Sequence, residues 1–431
     1  MKPTIAYLGM THLGLVSGIA AASKGFDVVC FDPDPERIAT LERGDLPVVE
    51  PGLPELLAEN RERLRFTADA GALAGCGVVY IAPDVPTDDS GASDLGPIRA
   101  LLDRVEPALA ADASLVILSQ VPPGFTRSRQ RSGRSLYYQV ETLIFGRAVE
   151  RATQPERFIV GCADAAQPLA PAYRSFLEAF GCPILPMRFE SAELAKISIN
   201  VCLVASVSVA NTLAELCERV GAVWQEIVPA LRLDRRIGPY SYLAPGLGIA
   251  GGNLERDLAT VIGLAEREGT DAGVIRAFLD NSRHRRDWAL RVLHAEVLSR
   301  RRNPVIAVLG LAYKEDTASI KNSPSLALIA HLHGTDLRLY DPVVPASAAN
   351  APRAVGAADP LDACDGADAL VIMTPWRQFR DLDPTLIAGR LAGRTVVDPY
   401  GVLDPAACRD AGLIHIRLGA PLSMLGAEAD A

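Results

Sequence analysis

The opening residues of the chain follow a strand, turn, helix, strand pattern. Thr4–Leu8 is a short apolar run, Leu13–Lys24 is rich in Ala, Leu and Ser, and Phe26–Phe31 is a β-branched run that ends at Asp32. Apolar strands on either side of a helix are typical of a parallel sheet that is covered on both faces. The pattern therefore predicts an α/β domain of the doubly wound class.

The turn of this unit is similar to a dinucleotide fingerprint. Gly9 and Gly14 occupy the first and last glycine positions of G-x-G-x-x-G, and Asp32 closes the next strand. Amides at the start of the helix can receive a pyrophosphate, and Asp32 can accept hydrogen bonds from the adenosine ribose and repel a 2′-phosphate. The turn therefore favours NAD over NADP as the cofactor.

One position of the fingerprint departs from the pattern. Thr11 stands in place of the middle glycine and puts a side chain where the backbone normally approaches the phosphates. A purely structural strand-turn-helix therefore stays open as an alternative, and His12 is most simply a loop residue without a chemical role. The predicted cofactor-binding residues of this segment are Gly9, Thr11, His12, Leu13, Gly14 and Asp32.

The remaining segments predict three domains. Further apolar strands complete one α/β domain over residues 1–186. Residues 189–220 contain neither glycine nor proline and predict a helix about 48 Å long within a helical region at 187–300. A second βαβ pattern opens at Val305 and predicts another α/β domain at 301–431. The predicted fold is α/β, with two Rossmann-like doubly wound domains joined by a central helical domain that contains one long helix.

Composition excludes several classes of protein. A chain of 431 residues is too long for one core, and a net charge of −9 disfavours a nucleic-acid partner. The eight cysteines include no C-x-x-C pair, so neither a metal site nor a disulfide framework is indicated. No signal peptide and no transmembrane span are indicated either. We therefore expect a cytoplasmic protein with reduced thiols and neither a metal nor a membrane partner.

Several phrases, in order along the chain, resemble one enzyme family. They are Val48–Leu53 (VVEPGL), Val121–Gly124 (VPPG), Pro155–Gly161 (PERFIVG), Ala192–Lys196 (AELAK), Pro245–Gly248 (PGLG), Gly310–Lys314 (GLAYK) and Tyr340–Pro342 (YDP). With them the chain resembles the UDP-glucose/GDP-mannose dehydrogenase family from Ile5 to about Pro421. The resemblance implies an NAD domain, a central domain with a dimerising helix, and a C-terminal domain that holds the nucleotide of a sugar, with a UDP-sugar favoured.

The resemblance also implies a chemistry that this chain lacks in part. Family members oxidise a primary alcohol to a carboxylate in two hydride transfers, and a cysteine in the phrase G-G-S-C-F-P-K-D carries the thiohemiacetal and thioester. Here Asn253 stands in place of that cysteine, and Arg256 stands in place of the lysine. An amide cannot form a thioester.

Other departures from the family pattern agree with this loss. The family's threonine after the fourth strand falls at Val85, and its S-T-V-P phrase contains Gln120. In the phrase N-P-E-F-L-x-E-G, Glu141 is kept, whereas the second glutamate, of the kind that positions hydrolytic water, is Phe145. Cys202 is not assumed to substitute as nucleophile, because it belongs to an apolar run and is predicted to be a core residue.

A set of polar residues for the first oxidation remains. Lys196 and Asn200 are spaced to share one helix face, where the family uses them to hold and polarise the oxygen at the reacting carbon, and Asp257 is their partner for proton relay. The alternative is that Lys196 and Glu193 form a surface pair. The resemblance further suggests substrate-binding residues, namely Gly248, Arg236, Lys314 and Lys321. Lys321 replaces an arginine, and Asp398-Pro399-Tyr400 replaces an aspartate-glycine-arginine, so the identity of the nucleotide sugar stays open.

Three functions are consistent with the sequence. The favoured one is an NAD-dependent two-electron dehydrogenase of a nucleotide-sugar alcohol that works without a thioester. The second is a four-electron enzyme that oxidises the hydrated aldehyde directly, with Asn253 orienting it. The third is a catalytically silent homologue that binds nucleotide sugar or NAD and regulates or scaffolds a partner.

Overall fold

The computed structural model describes residues 2–86 and 93–421. Contacts divide the chain into two compact units, Met1–Ile199 and Asn200–Ala431. The limits of the three sequence-derived domains at 1–186, 187–300 and 301–431 stay predictions, and the ends at 1 and 422–431 lie outside the described residues. Each unit is built around its own sheet.

An eight-stranded sheet organises the first unit. Its strands are β1 (Ile5–Leu8), β2 (Val28–Phe31), β3 (Leu64–Thr67), β4 (Val78–Ile81), β5 (Ser114–Ile117), β6 (Leu136–Gln139), β7 (Phe158–Cys162) and β8 (Ile184–Arg188). They lie in the order β3-β2-β1-β4-β5-β6-β7-β8, and neighbours are parallel except β6 with β7. The order of the first six strands confirms the predicted doubly wound class.

Helices cover both faces of this sheet. They are α1 (His12–Ser23), α2 (Pro35–Glu42), α3 (Leu53–Glu59), α4 (Gly96–Val105), α5 (Phe125–Ser128), α6 (Ala148–Thr153) and α7 (Pro171–Glu178), with 3-10 turns at Arg61–Arg63, Ala70–Gly75 and Glu106–Ala108. The central strands β1, β2, β4 and β5 are buried at every residue, which explains why they are apolar apart from Ser114. Two apolar clusters result, one on each face.

The turn between β1 and α1 requires its last glycine for packing. A Cβ atom on Gly14 would lie 2.0 Å from the carbonyl oxygen of Gly9, closer than any real contact. Gly9 itself has φ +91° and its amide donates to the carbonyl oxygen of Phe31 at 2.9 Å. The helix can therefore start directly after the strand, which puts its amino end at the carboxyl edge of the sheet.

The long helix α8 extends from Phe189 to Val220, as predicted. Glu193 is fully buried on it, and its carboxylate accepts hydrogen bonds from the amides of Gly124 and Thr126 at 2.6 and 2.8 Å. Burial raises the pKa of Glu193 above its ordinary value. The prediction that Cys202 is a core residue is wrong, because its side chain is exposed.

One face of α8 is exposed along much of its length. It consists of Leu194, Ser198, Cys202, Val209, Leu213, Leu216 and Val220, which recur at helical spacing. By length and composition α8 is also apolar enough to cross a membrane. Within the 18-residue stretch that meets this test, 33% is buried. Long helices in soluble proteins pass the same test, and α8 carries Glu193 and Lys196 close to its start.

The second unit begins with helices and ends with a six-stranded sheet. The helices are α9 (Trp224–Leu233), α10 (Asn253–Glu268), α11 (Gly273–Arg286), α12 (Trp288–Leu293), α13 (Pro324–His331), α14 (Pro360–Cys364), α15 (Arg377–Arg380), α16 (Pro384–Arg390) and α17 (Pro405–Asp410), with a π turn at His294–Leu298 and a 3-10 turn at Ala346–Ala349. The strands are β9 (Val305–Leu309), β10 (Asp336–Tyr340), β11 (Ala354–Gly356), β12 (Ala369–Ile372), β13 (Thr395–Val397) and β14 (Ile414–Ile416). The all-parallel order β11-β10-β9-β12-β13-β14 is again the Rossmann order, as predicted.

The two sheets share the construction of their first turn. Gly310 follows β9 with φ +93°, and its amide donates to the carbonyl oxygen of Tyr340 at 2.8 Å, as Gly9 does after β1. Asp341 accepts from the amides of Leu311 and Ala312 at 2.6 and 3.1 Å. In the second sheet, however, the helix α13 starts only at Pro324, so a long segment separates turn and helix.

The second unit also buries an arginine. The Arg285 side chain on α11 is fully buried, and its Nη1 lies 2.9 Å from Oε2 of Glu215 and its Nη2 lies 3.7 Å from Oε1 of Glu218. His284 is also hydrogen-bonded to Glu215, at 2.9 Å. Burial alone would raise the pKa of Glu215, but its contacts with His284 and Arg285 outweigh burial and lower the pKa below its ordinary value.

Candidate active site

The turn predicted to bind the cofactor lies where the strand order reverses between β1 and β4. Thr11 precedes α1 in an extended conformation, and its side chain does not cap the helix. The first amides of α1, from His12, Leu13 and Gly14, are donors that a helix cannot satisfy internally. They are therefore placed to receive the diphosphate of a dinucleotide.

The side chain of Thr11 has a different partner. Its hydroxyl accepts a hydrogen bond from the amide of Asp84 at 2.8 Å. Asp84 follows β4, so this bond joins the segments after the two strands that flank the crevice. The residue that replaces the middle glycine thus leaves the helix amides accessible and ties the two sides of the crevice together.

Asp32 occupies the position expected for a ribose-binding carboxylate. It is buried at the end of β2, and its Oδ2 accepts from the amide of Met10 at 2.7 Å and from Nη1 of Arg37 at 2.9 Å. Its Oδ1 accepts from the amide of Asp34 at 3.0 Å. These bonds fix the carboxylate at the edge of the crevice that begins at Gly9.

Two further predicted cofactor residues lie at the same edge of the sheet. Val85 follows β4 and packs, half-buried, against an apolar cluster of the first unit. Gln120 follows β5, next to Ser119, whose hydroxyl donates to the carbonyl oxygen of Pro83 at 2.5 Å. Since β1, β4 and β5 are parallel neighbours, their carboxyl ends bring these residues to the side of the sheet that carries Gly9.

Lys196 is paired with Glu141 inside the first unit. Its Nζ lies 2.5 Å from Oε1 of Glu141 and donates to the carbonyl oxygen of the same residue at 3.1 Å. Oε2 of Glu141 accepts from the amide of Leu143 at 3.0 Å. The side chains of Lys196 and Glu141 are only 11% and 16% exposed. The alternative of a surface pair between Lys196 and Glu193 is wrong, since Glu193 bonds buried amides instead.

Asn200 is paired with Asp257 inside the second unit. Nδ2 of Asn200 donates to Oδ2 of Asp257 at 2.5 Å, and Nε of Arg256 lies 3.4 Å from Oδ1. Asp257 and Arg256 are both buried in the first turns of α10. The arginine that replaces the family lysine therefore neutralises a buried carboxylate, which would be costly to leave unpaired.

Asn253 is the first residue of α10, and it is exposed. The preceding loop is held by the segment before α13: the amide of Gly251 donates to the carbonyl oxygen of Lys321 at 3.0 Å, and Nδ2 of Asn322 donates to the carbonyl oxygen of Gly251 at 2.8 Å. Nδ2 of Asn322 also contacts Glu255. The residue in the cysteine position thus lies at a helix start whose loop is anchored to the segment between β9 and α13.

The predicted substrate residues have separate surroundings. Gly248 has φ +79°, and a Cβ there would lie 2.4 Å from the carbonyl oxygen of Ser282, so close packing accounts for this glycine. Arg236 is 89% exposed and bonds Asp234 at 2.6 Å. Lys314 is half-buried with its Nζ 5.9 Å from the centre of the Tyr313 ring, and Lys321 is also half-buried. Their roles stay predictions.

Seven of the eight cysteines, all except the exposed Cys202, are poor replacements for the nucleophile. Burial raises the pKa of the Cys30, Cys364 and Cys408 thiols to about 12 and that of Cys76 and Cys162 to about 11. Burial also raises the pKa of Cys182 and Cys217. A thiol reacts as its thiolate, so a raised pKa lowers the reactivity of these side chains near neutral pH. Across residues 2–86 and 93–421, no group of His, Cys, Asp and Glu side chains is arranged to hold a metal ion.

Alkylation is therefore expected to leave turnover intact. Treatment with iodoacetamide at neutral pH should change the rate of NADH production by less than about twofold, because the buried thiols carry almost no thiolate. Peptide mass mapping identifies the modified cysteines, and a Cys202→Ser variant controls for alkylation of the exposed thiol. Loss of turnover in both proteins, with a cysteine other than Cys202 modified, would contradict this expectation.

Sequence reasoning missed two residues that organise these sites. Glu50 lies in the phrase Val48–Leu53 and bonds His12 at 2.7 Å, and Asn322 lies next to the predicted Lys321 and holds the Asn253 loop. The signal for Glu50 was a carboxylate within an otherwise apolar and turn-forming phrase. Asn322 has φ +51°, which asparagine tolerates better than most residues, but no sequence pattern indicates its partner.

Comparison with known proteins identifies the family. Residues 3–176, 190–283 and 307–405 match the NAD-binding, central and UDP-binding domains of the UDP-glucose/GDP-mannose dehydrogenase family. The chain is 32% identical to UDP-glucose 6-dehydrogenase of Pseudomonas aeruginosa, over 97% of each chain.

Solved structures agree with this assignment. A UDP-glucose dehydrogenase from Pyrobaculum islandicum is 27% identical, with a TM-score of 0.82 over 94% of this chain and 98% of that one. A UDP-D-ManNAc dehydrogenase from Pyrococcus horikoshii has the same fold, at 24% identity and a TM-score of 0.82, over 96% of this chain and 99% of that one. The chain therefore belongs to the UDP-glucose/GDP-mannose dehydrogenase family and carries the NAD-binding, central and UDP-binding domains of that family.

Proposed function

We propose that the protein oxidises an alcohol of a nucleotide sugar to an aldehyde or ketone with NAD, in one two-electron step and without a thioester. The observation that carries this proposal is that the residues for the first oxidation are kept, whereas those for the second are replaced. Lys196 is paired with Glu141 and Asn200 with Asp257, whereas the positions of the family's nucleophile and second glutamate are Asn253 and Phe145. The parts for the first oxidation are present, and those for the second are missing.

Lys196 and Asn200 serve the alcohol oxygen. They are four residues apart on α8 and therefore lie on the same face of the helix. A lysine ammonium beside a forming alkoxide stabilises its charge, and the amide of Asn200 donates a hydrogen bond to the same oxygen. The partners Glu141 and Asp257 restrict the two side chains to one geometry and can accept the alcohol proton directly or through water.

The turn of Gly9 would hold NAD, which would supply the hydride acceptor for the reacting carbon. The amides of His12, Leu13 and Gly14 would hold its diphosphate, and Asp32 would accept hydrogen bonds from the adenosine ribose. Val85 and Gln120 contribute to the nicotinamide side of the same sheet edge. The lack of a thiol at position 253 leaves the product aldehyde without a covalent anchor, so it dissociates before a second hydride transfer.

The substrate is a UDP-sugar in this proposal. Residues 307–405 match the UDP-binding domain of the family, and Lys314 and Lys321 supply positive charge within it. Gly248 and Arg236 contribute to substrate binding from the central region. The exposed apolar face of α8 pairs with a second copy of the chain to form at least a homodimer, and the enzyme works in the cytoplasm.

Product stoichiometry tests the proposal. The protein is incubated with NAD and a panel of nucleotide sugars, NADH is counted by absorbance, and products are weighed by mass spectrometry. One NADH per sugar and an aldehyde or ketone are expected. Two NADH and a uronic acid would instead establish the four-electron reaction, in which Asn253 orients the hydrated aldehyde. Ligand-induced thermal stabilisation without turnover would establish a silent binding homologue.

Restoring the thiol is expected to trap the intermediate. An Asn253→Cys variant should add its thiol to the aldehyde to give a thiohemiacetal, which passes one hydride to a second molecule of NAD and becomes a thioester. The thioester should then accumulate, because Phe145 stands in place of the carboxylate that positions hydrolytic water. Intact-protein mass spectrometry detects the adduct, and Asn253→Ser is the matched control. The double variant Asn253→Cys/Phe145→Glu should release acid catalytically. Absence of any adduct would place the reacting carbon elsewhere than beside residue 253.

A further inference from the structure

Glu50 is a buried carboxylate between α2 and α3 that the proposed reaction does not use. Its side chain is fully buried and is hydrogen-bonded to Nε2 of His12 at 2.7 Å. It also accepts from the amide of Gly146, at 3.1 Å to Oε1 and 3.0 Å to Oε2, and from the amide of Ala148 at 3.2 Å. A buried carboxylate with three donors is held in one position and fixes its partners in turn.

The first partner belongs to the cofactor turn. His12 is the first residue of α1, so its amide is one of the donors that face the dinucleotide diphosphate. Its ring is held by Glu50 on one side and contacts the Phe145 ring, with 4.3 Å between centroids. The bond to Glu50 therefore helps to fix the first residue of α1, whose amide is one of those donors.

The other partners belong to the segment that holds Lys196. Gly146 and Ala148 close the loop that starts with Glu141, and α6 begins at Ala148. The opening of that loop is fixed to Lys196 through the Glu141 carboxylate and carbonyl. Glu50 therefore anchors one end of a loop whose other end determines the position of the lysine ammonium.

We infer that Glu50 is a positioning residue that couples the cofactor turn, through His12, to the loop that orients Lys196. Loss of its carboxylate weakens dinucleotide binding and slows the chemical step together. The effect on the chemical step depends on the proposed function. The effect on dinucleotide binding does not, because it requires no sugar substrate.

Glutamine at position 50 is the first test. A glutamine side chain has one acceptor oxygen for the three donors that now share the two oxygens of Glu50. The Glu50→Gln variant is therefore expected to bind NADH about tenfold more weakly and to lose about tenfold in kcat at saturating NAD. Affinity is measured by titrating NADH fluorescence with the full-length protein, and folding is checked by circular dichroism. Glu55→Gln, at an exposed site at the start of α3, is the matched control. A folded Glu50→Gln protein with unchanged NADH affinity would overturn the inference.

Substitution of His12 tests the link between Glu50 and the cofactor turn by itself. It therefore still tests the inference if Glu50→Gln does not fold. His12→Phe should weaken NADH binding about tenfold, whereas His12→Gln, which keeps a donor for Glu50, should recover most of that loss. Equal NADH affinity of His12→Phe and His12→Gln would overturn the coupling through His12. If the wild-type protein turns over no nucleotide sugar, the proposed function is refuted. Weaker NADH binding by the variants would in that case still support the coupling of Glu50 to the cofactor turn.

Discussion

Replacement of Lys196 by alanine is expected to lower kcat about 10²–10³-fold, the usual loss when one donor to a developing oxyanion is removed. Lys196 is 9% exposed and is held by both the carboxylate and the carbonyl of Glu141, so its ammonium group is fixed before substrate binds. A fixed charge stabilises the transition state without reorganisation. The loss should therefore fall on kcat, with a smaller change in the KM for the sugar.

The measurement separates this role from a structural one. NADH production is followed at saturating NAD for Lys196→Ala and for Lys24→Ala, a control at the other end of the first unit. Added primary amines should restore part of the rate in Lys196→Ala alone, because a free ammonium can occupy the space of the missing one. Full alcohol oxidation by Lys196→Ala would refute the oxyanion role.

Loss of Glu215 is expected to destabilise the second unit by about 3 kcal/mol, since removing one partner of a buried pair leaves an uncompensated charge. Arg285 is fully buried and has Glu215 as its nearest carboxylate, with Glu218 farther away at 3.7 Å. A Glu215→Gln variant keeps the shape of the side chain and removes its charge. The change should therefore report electrostatics rather than packing.

Tryptophan fluorescence isolates the unit concerned. All three tryptophans, Trp224, Trp288 and Trp376, belong to the second unit, so urea unfolding followed by their emission reports that unit alone. Asp280→Asn, in an exposed pair with Arg283, is the control and should cost less than about 1 kcal/mol. An Arg285→Met/Glu215→Gln protein should recover much of the loss, because an apolar side chain needs no counterion.

The effect of Glu215→Gln on the free energy of unfolding should depend on pH. The pKa of Glu215 is lower in the folded protein than its ordinary value, so its stabilisation is complete above the unfolded pKa, about 4.3, and is lost as pH falls through the folded pKa. The difference in unfolding free energy between wild type and Glu215→Gln should therefore shrink under acid. A constant difference from neutral pH to acid would contradict the pairing of Glu215 with His284 and Arg285.

Much of the fold could be predicted from the sequence because its elements have strong periodic signals. The helix α8 was predicted with its observed limits, since residues 189–220 lack glycine and proline. The strands β1 and β9 were located by apolar runs that end at Gly9 and Gly310. Cys202 was misplaced because α8 is apolar on more than one side, and sequence spacing alone does not tell which apolar face a neighbour covers.

The candidate site was predictable in its residue types and less so in its pairings. The location of Lys196 and Asn200 on the same face of α8 follows from their spacing and from helix geometry. Their partners do not, because Glu141 and Asp257 are each more than fifty residues away in sequence and only the tertiary fold brings them near. Glu50 was missed for the same reason, since its donors come from two segments distant from it in the chain.

The position of the helix after each first turn distinguishes the tasks of the two sheets. After β1 the helix starts at once, so its first amides lie at the carboxyl edge of the sheet. After β9, residues 311–323 intervene, and Asp341 accepts from four backbone amides and from Nε1 of Trp376 at 3.1 Å. Within that inserted segment, Lys321 and Asn322 hold the loop before α10. A change in its length or charge would therefore also shift the helix start that carries Asn253.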